Sequence, residues 1–453
     1  MSISDTSTQV RSDVAHLARR AGFGLNVDDV DALAAEGYEA AVERVITGLA
    51  GPDLPADSVP TPQFDSALII LARDSQDESI RDAARRSESQ QRRDLVRWWL
   101  ERMVVAREPW REKITFLWHD HFATSLTKVP LPELMWIQHS TIQRLGSGRF
   151  DDLVHALSRD GAMLLWLDGH QSRVGAPNEN YARELMELFT LGHTAPGAGT
   201  HPDHSAAPYT ELDVAEVARA LTGWQIDRGT GEGVFRPTRH DAGSKTILGS
   251  TGRFGLDDVV RLTTSNAACA PHVVSRLWSR LGAPAGPDDP VVTELAGPFA
   301  KDLDTAGLLR RMFLHDAFRS RETKAALVKT PVEWVVGTLR ALRLSLPEGA
   351  ERLLVTLGQV PFAPPDVSGW PSNRAWLSTA SAQARLAAAS AVSGLADLTD
   401  LDQAKPADRL EMVARWLGVV AWKPSSLAAL TSHRDDPARL LTLALVSPEY
   451  LVA

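Results

Sequence analysis

Apolar residues recur every three or four positions along most of the chain, a spacing that places them on one face of an α-helix. Capping residues and prolines mark many helix boundaries; Thr210 with Asp213, for example, resembles a capping box. The predicted helices span residues 13–20, 27–47, 64–108, 109–121, 131–145, 150–168, 177–191, 211–222, 255–264, 271–281, 289–303, 304–314, 331–345, 350–357, 378–396, 406–418 and 436–447.

One segment, 224–249, departs from helical spacing. Two short β-prone runs, 234–235 and 246–248, flank a polar turn that contains His240 and Asp241. Runs of this kind on either side of a turn predict a β-hairpin.

The other segments complete the predicted organisation. Residues 1–12 are expected to form a disordered tail, and 192–209, rich in Gly, Pro, Ala and His, an exposed loop. The irregular stretch 358–377 contains two tryptophans, which predict a loop held against the body. No shift in composition divides the chain. We therefore expect a mainly α fold: a single multi-helical body over 13–453 with a small β-hairpin inserted near 224–249.

Composition narrows the classes of function. The 453 residues are 44% hydrophobic and 23% charged, as in soluble globular proteins. The net charge of −9 argues against nucleic acid as a partner, and no run of about 18 apolar residues predicts a membrane span. The first residues show no signal peptide, so we expect a cytoplasmic protein. The single cysteine, Cys269, excludes an internal disulfide and a cysteine-based metal site. The oligomeric state stays open.

The first candidate for chemistry is Trp118-His119-Asp120-His121, at the end of a predicted helix. Imidazoles bind metal ions and exchange protons near neutral pH. Residues two apart on a regular helix point about 200° apart. His119 and His121 could therefore serve one site only if the helix unwinds there. The alternative is that one imidazole is buried and hydrogen-bonded while the other is exposed.

The second candidate is the helical segment 178–189. Glu184 and Glu187 are neighbours on one helix face, where two like charges need a cation beside them. That cation could be a divalent metal ion, shared with the two histidines, or an arginine such as Arg183. In the second case the glutamates belong to a salt-bridge network that locks helices together.

The third candidate is the turn at 239–245. His240 and Asp241 could supply a proton-transfer group and an orienting carboxylate, and Lys245 a cation for an anionic substrate. Asp and Gly are also ordinary turn residues, so the alternative is a purely structural turn.

Two further basic motifs are expected to be structural. Arg19-Arg20 could anchor an anion, but the run through Gly24 is more typical of a helix end with a glycine cap. Lys329-Thr330-Pro331-Val332-Glu333 has the residues of a helix start, with an acidic side chain in the first turn.

These motifs also occur together in a known bacterial family. Over residues 13–452 the chain resembles the family catalogued as domain of unknown function 1800. The motifs that carry the resemblance are residues 16–24, 111–113, 118–122, 178–192, 220–224, 240–245, 329–333, 364–371 and 447–450.

The resemblance implies no particular activity, because the family is named for the lack of one. Many members look exported with twin-arginine signals, a pattern that the first residues here do not show. Many also have His at the position of Phe189. Phe189 falls on the apolar stripe of its helix, so we expect it in the core.

The residues favour an enzyme, a hydrolase or lyase acting on a small or anionic substrate. Its catalytic groups would be His119, His121, Glu184, Glu187, His240 and Asp241. The first four would hold a divalent metal ion, and Arg183 or Lys245 would bind the substrate. The alternative is a non-catalytic helical scaffold or binding protein, in which the same groups form an ion-pair network that fixes helix packing.

Overall fold

The computed structural model describes residues 3–193, 207–227 and 230–452. These ranges contain 26 α-helices. The helices are α1 Ile3–Ala21, α2 Val27–Ala35, α3 Tyr38–Gly48, α4 Leu54–Asp57, α5 Ser66–Asp74, α6 Glu78–Val105, α7 Trp110–His121, α8 Pro132–Leu145, α9 Phe150–Ser158, α10 Gly161–Trp166, α11 Glu179–Glu184, α12 Glu211–Ala220, α13 Leu256–Thr264, α14 Cys269–Leu281, α15 Pro290–Asp302, α16 Thr305–Leu314, α17 Asp316–Arg319, α18 Arg321–Lys324, α19 Pro331–Ala341, α20 Ala350–Leu357, α21 Thr379–Ser393, α22 Thr399–Gln403, α23 Pro406–Leu417, α24 Pro424–Thr431, α25 Pro437–Leu445 and α26 Pro448–Leu451.

A few other elements interrupt the helices. A π-helix, Leu185–Thr190, continues directly from α11. Short 3₁₀ turns occupy Gly169–Gln171, Pro237–Arg239 and Asn373–Trp376. The strands are β1 Trp224–Ile226, β2 Gly233–Phe235, β3 Lys245–Ile247 and β4 Ser250–Gly252. The fold is therefore mainly α with small β-hairpins, as the sequence predicts.

The strands pair differently from the prediction. β1 pairs with β2 and β3 pairs with β4, both antiparallel, so 234–235 does not pair with 246–248. Each hairpin closes through a glycine with positive φ, Gly231 at 73° and Gly249 at 78°. Glycine adopts this backbone without a steric penalty. Two separate hairpins therefore form where one was expected, and a two-residue turn, 248–249, joins the strands of the second.

Local capping explains where several helices begin. The predicted capping box at Thr210 and Asp213 is present at the start of α12. The predicted helix 64–108 is divided, because Asp77 caps a new helix by accepting from the backbone N–H of Ser79 at 2.8 Å.

Two segments that the sequence predicts to be irregular, 1–12 and 192–209, compare differently with the structure. Residues 3–12, predicted to lie in a disordered tail, belong to α1, which begins at Ile3. The predicted loop at 192–209 lies mostly outside the described residues. Within the described ranges, no helix is long and apolar enough to cross a membrane.

Helix α7 lies between two clusters of buried apolar side chains. Ile114 and Trp118 belong to one cluster, with α1–α3 and α12–α16, and Phe116 belongs to the other, with α6 and α19–α25. Apart from Arg111, every residue of α7 is buried. Such a helix must satisfy its polar side chains within the protein.

The first hairpin packs its backbone directly on helix α10. A Cβ atom on Gly161 would lie 1.9 Å from the carbonyl oxygen of Gly231. We expect Gly161→Ala to lower the free energy of unfolding by about 1–3 kcal/mol, because the hairpin must move away. Gly297→Ala is the matched control, since its Cβ meets nothing within 4 Å, and should raise stability by about 0.5–1 kcal/mol. Urea denaturation measures both; equal effects would contradict the packing.

Candidate functional site

His119 is a hydrogen-bond acceptor inside the core. Its Nε2 accepts from the backbone N–H of Phe362 at 3.1 Å, and its ring lies 5.5 Å from the rings of both Trp99 and Trp370. Burial lowers the pKa of His119 to about 3, so the imidazole is neutral at physiological pH. It holds the 358–377 loop against α7.

His121 points to the other side of α7, because the helix does not unwind between the two histidines, as a shared site would require. Its Nε2 donates to the carbonyl oxygen of Phe189 at 3.0 Å. His272 donates in the same way to Leu188 at 2.8 Å. Two imidazoles therefore satisfy carbonyls at the end of the π-helix, where helical donors run out. Burial lowers the pKa of both rings.

Asp120, which the sequence left unassigned between the two histidines, joins α7 to α14 and to the 358–377 loop. Its carboxylate pairs with Arg280 at 2.6 Å and accepts from the backbone N–H of Trp370 at 2.7 Å. A Cβ on Gly369 (φ 90°) would lie 2.4 Å from the carboxylate, so this approach requires glycine. Burial raises the pKa of Asp120, and Arg280 opposes that shift.

Glu184, at the end of α11, and Glu187, in the π-helix, have different surroundings. Glu187 lies 3.2 Å from Nδ1 of His193 and accepts a long hydrogen bond from Tyr209. Arg183 makes two hydrogen bonds, at 2.8 and 2.7 Å, to Glu211. Partial burial, and then the charge of Glu187, raise the pKa of Glu184, and the charge of Arg183 opposes that shift.

The four predicted metal ligands are not brought together. Among residues 3–193, 207–227 and 230–452, no three His, Cys, Asp or Glu side chains are grouped as a metal site. The helix geometry gives the reason: His119 and His121 lie on opposite sides of α7, and their Nε2 atoms are committed to backbone groups.

The turn at 239–245 is held together by its own polar groups. Asp241 accepts from Arg219 at 2.8 Å, and this guanidinium lowers the pKa of the carboxyl to about 2. Nδ1 of His240 donates to the carbonyl oxygen of Thr222 at 3.0 Å. Lys245 is buried, and its Nζ donates to the carbonyls of residues 241 and 243. These contacts tie the turn to α12.

The structure brings together a second set of residues that the sequence did not link. Arg19 and Arg20 of α1 meet Lys329, which precedes α19, and Tyr450 of α26; we call these four residues the basic cluster. A small cavity of about 20 Å³ lies between Arg19, Arg20, Lys329 and Glu333. A second cavity of the same size shares Arg19 and Lys329 with the first.

Lys329 is the unusual member of the basic cluster. It is 7% exposed, and its Nζ lies 3.3 Å from the centre of the Tyr450 ring. Among the described residues no carboxylate lies within 4.0 Å of this amine, because the nearby Glu333 is paired with Lys113. Burial, followed by the charge of Arg19, lowers the pKa of Lys329 well below its ordinary value.

Each arginine of the basic cluster donates a hydrogen bond to a backbone carbonyl. Arg20 donates to the carbonyl of Thr323 at 2.9 Å, but its buried Nε has no partner in the described structure. Arg19 donates to the carbonyl of Gly418 at 3.0 Å. The double arginine and the motif at 329–333 were both visible in the sequence. Arg19 and Lys329 are 310 positions apart, and no local pattern in the sequence indicated that they lie close together.

We expect Asp120→Asn to lower the free energy of unfolding by about 3 kcal/mol, because Arg280 loses its counter-charge in a mostly buried site. The control is Asp316→Asn, which removes an exposed pair with Arg319 and should cost less than about 1 kcal/mol. Urea denaturation followed by circular dichroism measures both. A loss at position 120 no larger than the control would show that the pair is not structural.

The comparisons agree with the motifs noted in the sequence. The family model described as "Protein of unknown function (DUF1800)" matches residues 16–452. No curated protein and no solved structure matches the chain. The matched range contains every residue of the basic cluster and all of α7. Because the match covers nearly the whole length, the chain belongs to the DUF1800 family.

Proposed function

We propose that the protein is an enzyme that acts on a small anionic substrate bound at the basic cluster. The observation that carries the proposal is Lys329, a buried amine beside two arginines with no carboxylate paired to it among the described residues. Charge buried in this way costs several kcal/mol unless the group loses its proton or an anion binds. Proteins retain such costly groups mainly where function requires them.

In the proposed enzyme, the residues of the basic cluster have separate roles. The guanidinium groups of Arg19 and Arg20 stay protonated and hold the anionic group of the substrate. The amine of Lys329, whose pKa is lowered by burial, acts as the nucleophile or proton acceptor once it has lost its proton, since either task needs a free electron pair. An anion bound beside the amine raises its pKa again, so substrate binding favours proton uptake. Both hydrolase and lyase chemistry can use such a group.

The cavities limit how the substrate enters. Each has a volume of about 20 Å³, which is enough for a water molecule or one small ion. The anionic group therefore enters first, and the rest of the substrate needs movement of Arg11 and Arg415, which line the second cavity.

The proposed location of the protein is the cytoplasm. Recovery of the chain in another cell fraction would contradict it.

A specific observation favours the alternative, a non-catalytic scaffold or binding protein. The polar residues of α7 are bound to backbone groups or to opposite charges, as a packing network requires. The two functions differ in what they predict for Lys329. If the protein is a scaffold, replacing Lys329 lowers its stability. If it is an enzyme, the replacement leaves the fold intact and removes the activity.

Two buried lysines provide a matched test of stability. Lys329→Met removes an unpaired amine, so we expect unchanged or higher stability at pH 7, by up to about 2 kcal/mol. Lys113→Met leaves Glu333 without its partner and should cost about 3–5 kcal/mol. Because the pKa of Lys329 is lower in the folded chain, the wild type should gain stability as pH rises towards about 10. Lys329→Met should lose that part of the pH dependence. Strong destabilisation by Lys329→Met would support the scaffold.

Trace labelling with acetic anhydride tests the neutral amine itself. Acylation requires the unprotonated form, so the Lys329 peptide should reach its maximal rate at a lower pH than the peptide containing the exposed Lys128, read by mass spectrometry. Inorganic phosphate at constant ionic strength should slow labelling of Lys329 alone. Identical pH profiles for the two peptides would contradict the proposal.

Activity is tested on a panel of carboxylate esters, phosphate esters and 3-oxo acids. The proposal expects turnover of at least one compound by the wild type and by Lys128→Met, and at least a hundredfold lower kcat for Lys329→Met. Turnover that survives in Lys329→Met would move the site elsewhere. A panel without any turnover, together with labelling that phosphate does not affect, would favour the scaffold.

A further inference from the structure

A separate cavity of about 320 Å³ lies between α5, the start of α8, α10 and the first hairpin. Its volume is within the range of small-molecule sites, about 300–1,000 Å³. It shares no residue with the basic cluster. None of the candidate residues from the sequence lines it.

The wall of the cavity is partly apolar and firmly packed. Ile70, Leu134 and Ile226 contribute aliphatic surface. Gly231, with φ 73°, brings the hairpin turn so close that a Cβ there would lie 2.2 Å from Leu134. The turn cannot settle further onto α8, so the cavity stays open next to it.

The polar groups of the wall are mainly hydrogen-bond acceptors. Glu133 is half-buried, and its carboxylate accepts from the hydroxyl of Ser66 at 2.5 Å. Nδ1 of His170 lies 2.9 Å from the carbonyl oxygen of Leu164. That oxygen can only accept, so in the neutral ring Nδ1 carries the proton and Nε2 keeps its lone pair. Of the described lining residues, Asp74, Glu133 and Asp227 are carboxylates and the exposed Arg73 is a cation; Asp227 already accepts from the backbone N–H of Thr230 at 3.0 Å.

We propose that this cavity binds a protonated organic amine. The ammonium group donates to Glu133 and to Nε2 of His170, and the hydrocarbon part of the ligand lies against Ile70, Leu134 and Ile226. An acceptor-rich wall complements a ligand that offers three N–H donors and a positive charge. A carboxylate ligand would instead face like charges in a partly desolvated site. The inference does not depend on the basic cluster.

Isothermal titration calorimetry with three probes of equal chain length tests the charge preference. Hexylammonium chloride, hexan-1-ol and sodium hexanoate are titrated into the full chain at constant ionic strength and pH 7.5. We expect hexylammonium to bind at least tenfold more tightly than hexan-1-ol and hexanoate to bind most weakly. Equal affinity for the amine and the alcohol, tighter binding of hexanoate, or no binding of hexylammonium at millimolar concentration would overturn the proposal.

Variants locate the binding. Glu133→Gln keeps an oxygen for Ser66 but removes the charge, and should weaken hexylammonium binding at least tenfold. Glu411→Gln, on the exposed face of α23, is the matched control and should change nothing. Ile70→Trp fills the cavity and should abolish binding of the amine. Lys329→Met should leave amine binding unchanged, so failure of the proposed function and failure of this inference are distinguishable. Unchanged binding in Glu133→Gln would overturn the assignment.

Discussion

Helix α7 is buried except at Arg111, and each of its five buried ionisable side chains has to find a partner inside the protein. The partners come from both clusters of the core. They are Arg102 for Glu112, Glu333 for Lys113, the Phe362 N–H for His119, Arg280 for Asp120 and the Phe189 carbonyl for His121. A buried charge without its partner costs several kcal/mol. These contacts therefore determine which helices can surround α7.

Lys113 and Lys329 are two buried lysines with different surroundings: the first is a packing contact, and we propose the second as a reactive group. Both are buried, yet Lys113 is neutralised by Glu333. The amine of Lys329 lies against the face of Tyr450 and is not paired with a carboxylate among the described residues. An aromatic ring compensates a charge far less than a carboxylate does. Burial is common to both lysines, so it does not distinguish a packing contact from a candidate reactive group. The presence or absence of a paired carboxylate does.

Several candidate residues from the sequence make packing contacts in the structure. The motif at 118–121 contains three consecutive ionisable side chains. Its two imidazoles form hydrogen bonds to backbone groups of the 358–377 loop and of the π-helix. Phe189, expected in the core, is fully buried there. A shared site for His119 and His121 required the helix to unwind, and α7 instead stays helical through His121, so the two side chains point to opposite sides and both are buried.

The sequence by itself determined the features that depend on local chemistry. Helical periodicity, the capping boxes at Thr210 and Thr330, and the mainly α fold all follow from residues within one or two turns of each other. Tertiary structure decided which charges meet. The partner of Lys113, Glu333, lies 220 positions away, and the basic cluster joins α1 to Lys329, two residues before α19, and to Tyr450 of α26. A pattern along the chain carries no information about such distances, because the partner of a buried charge depends on which helix faces pack together.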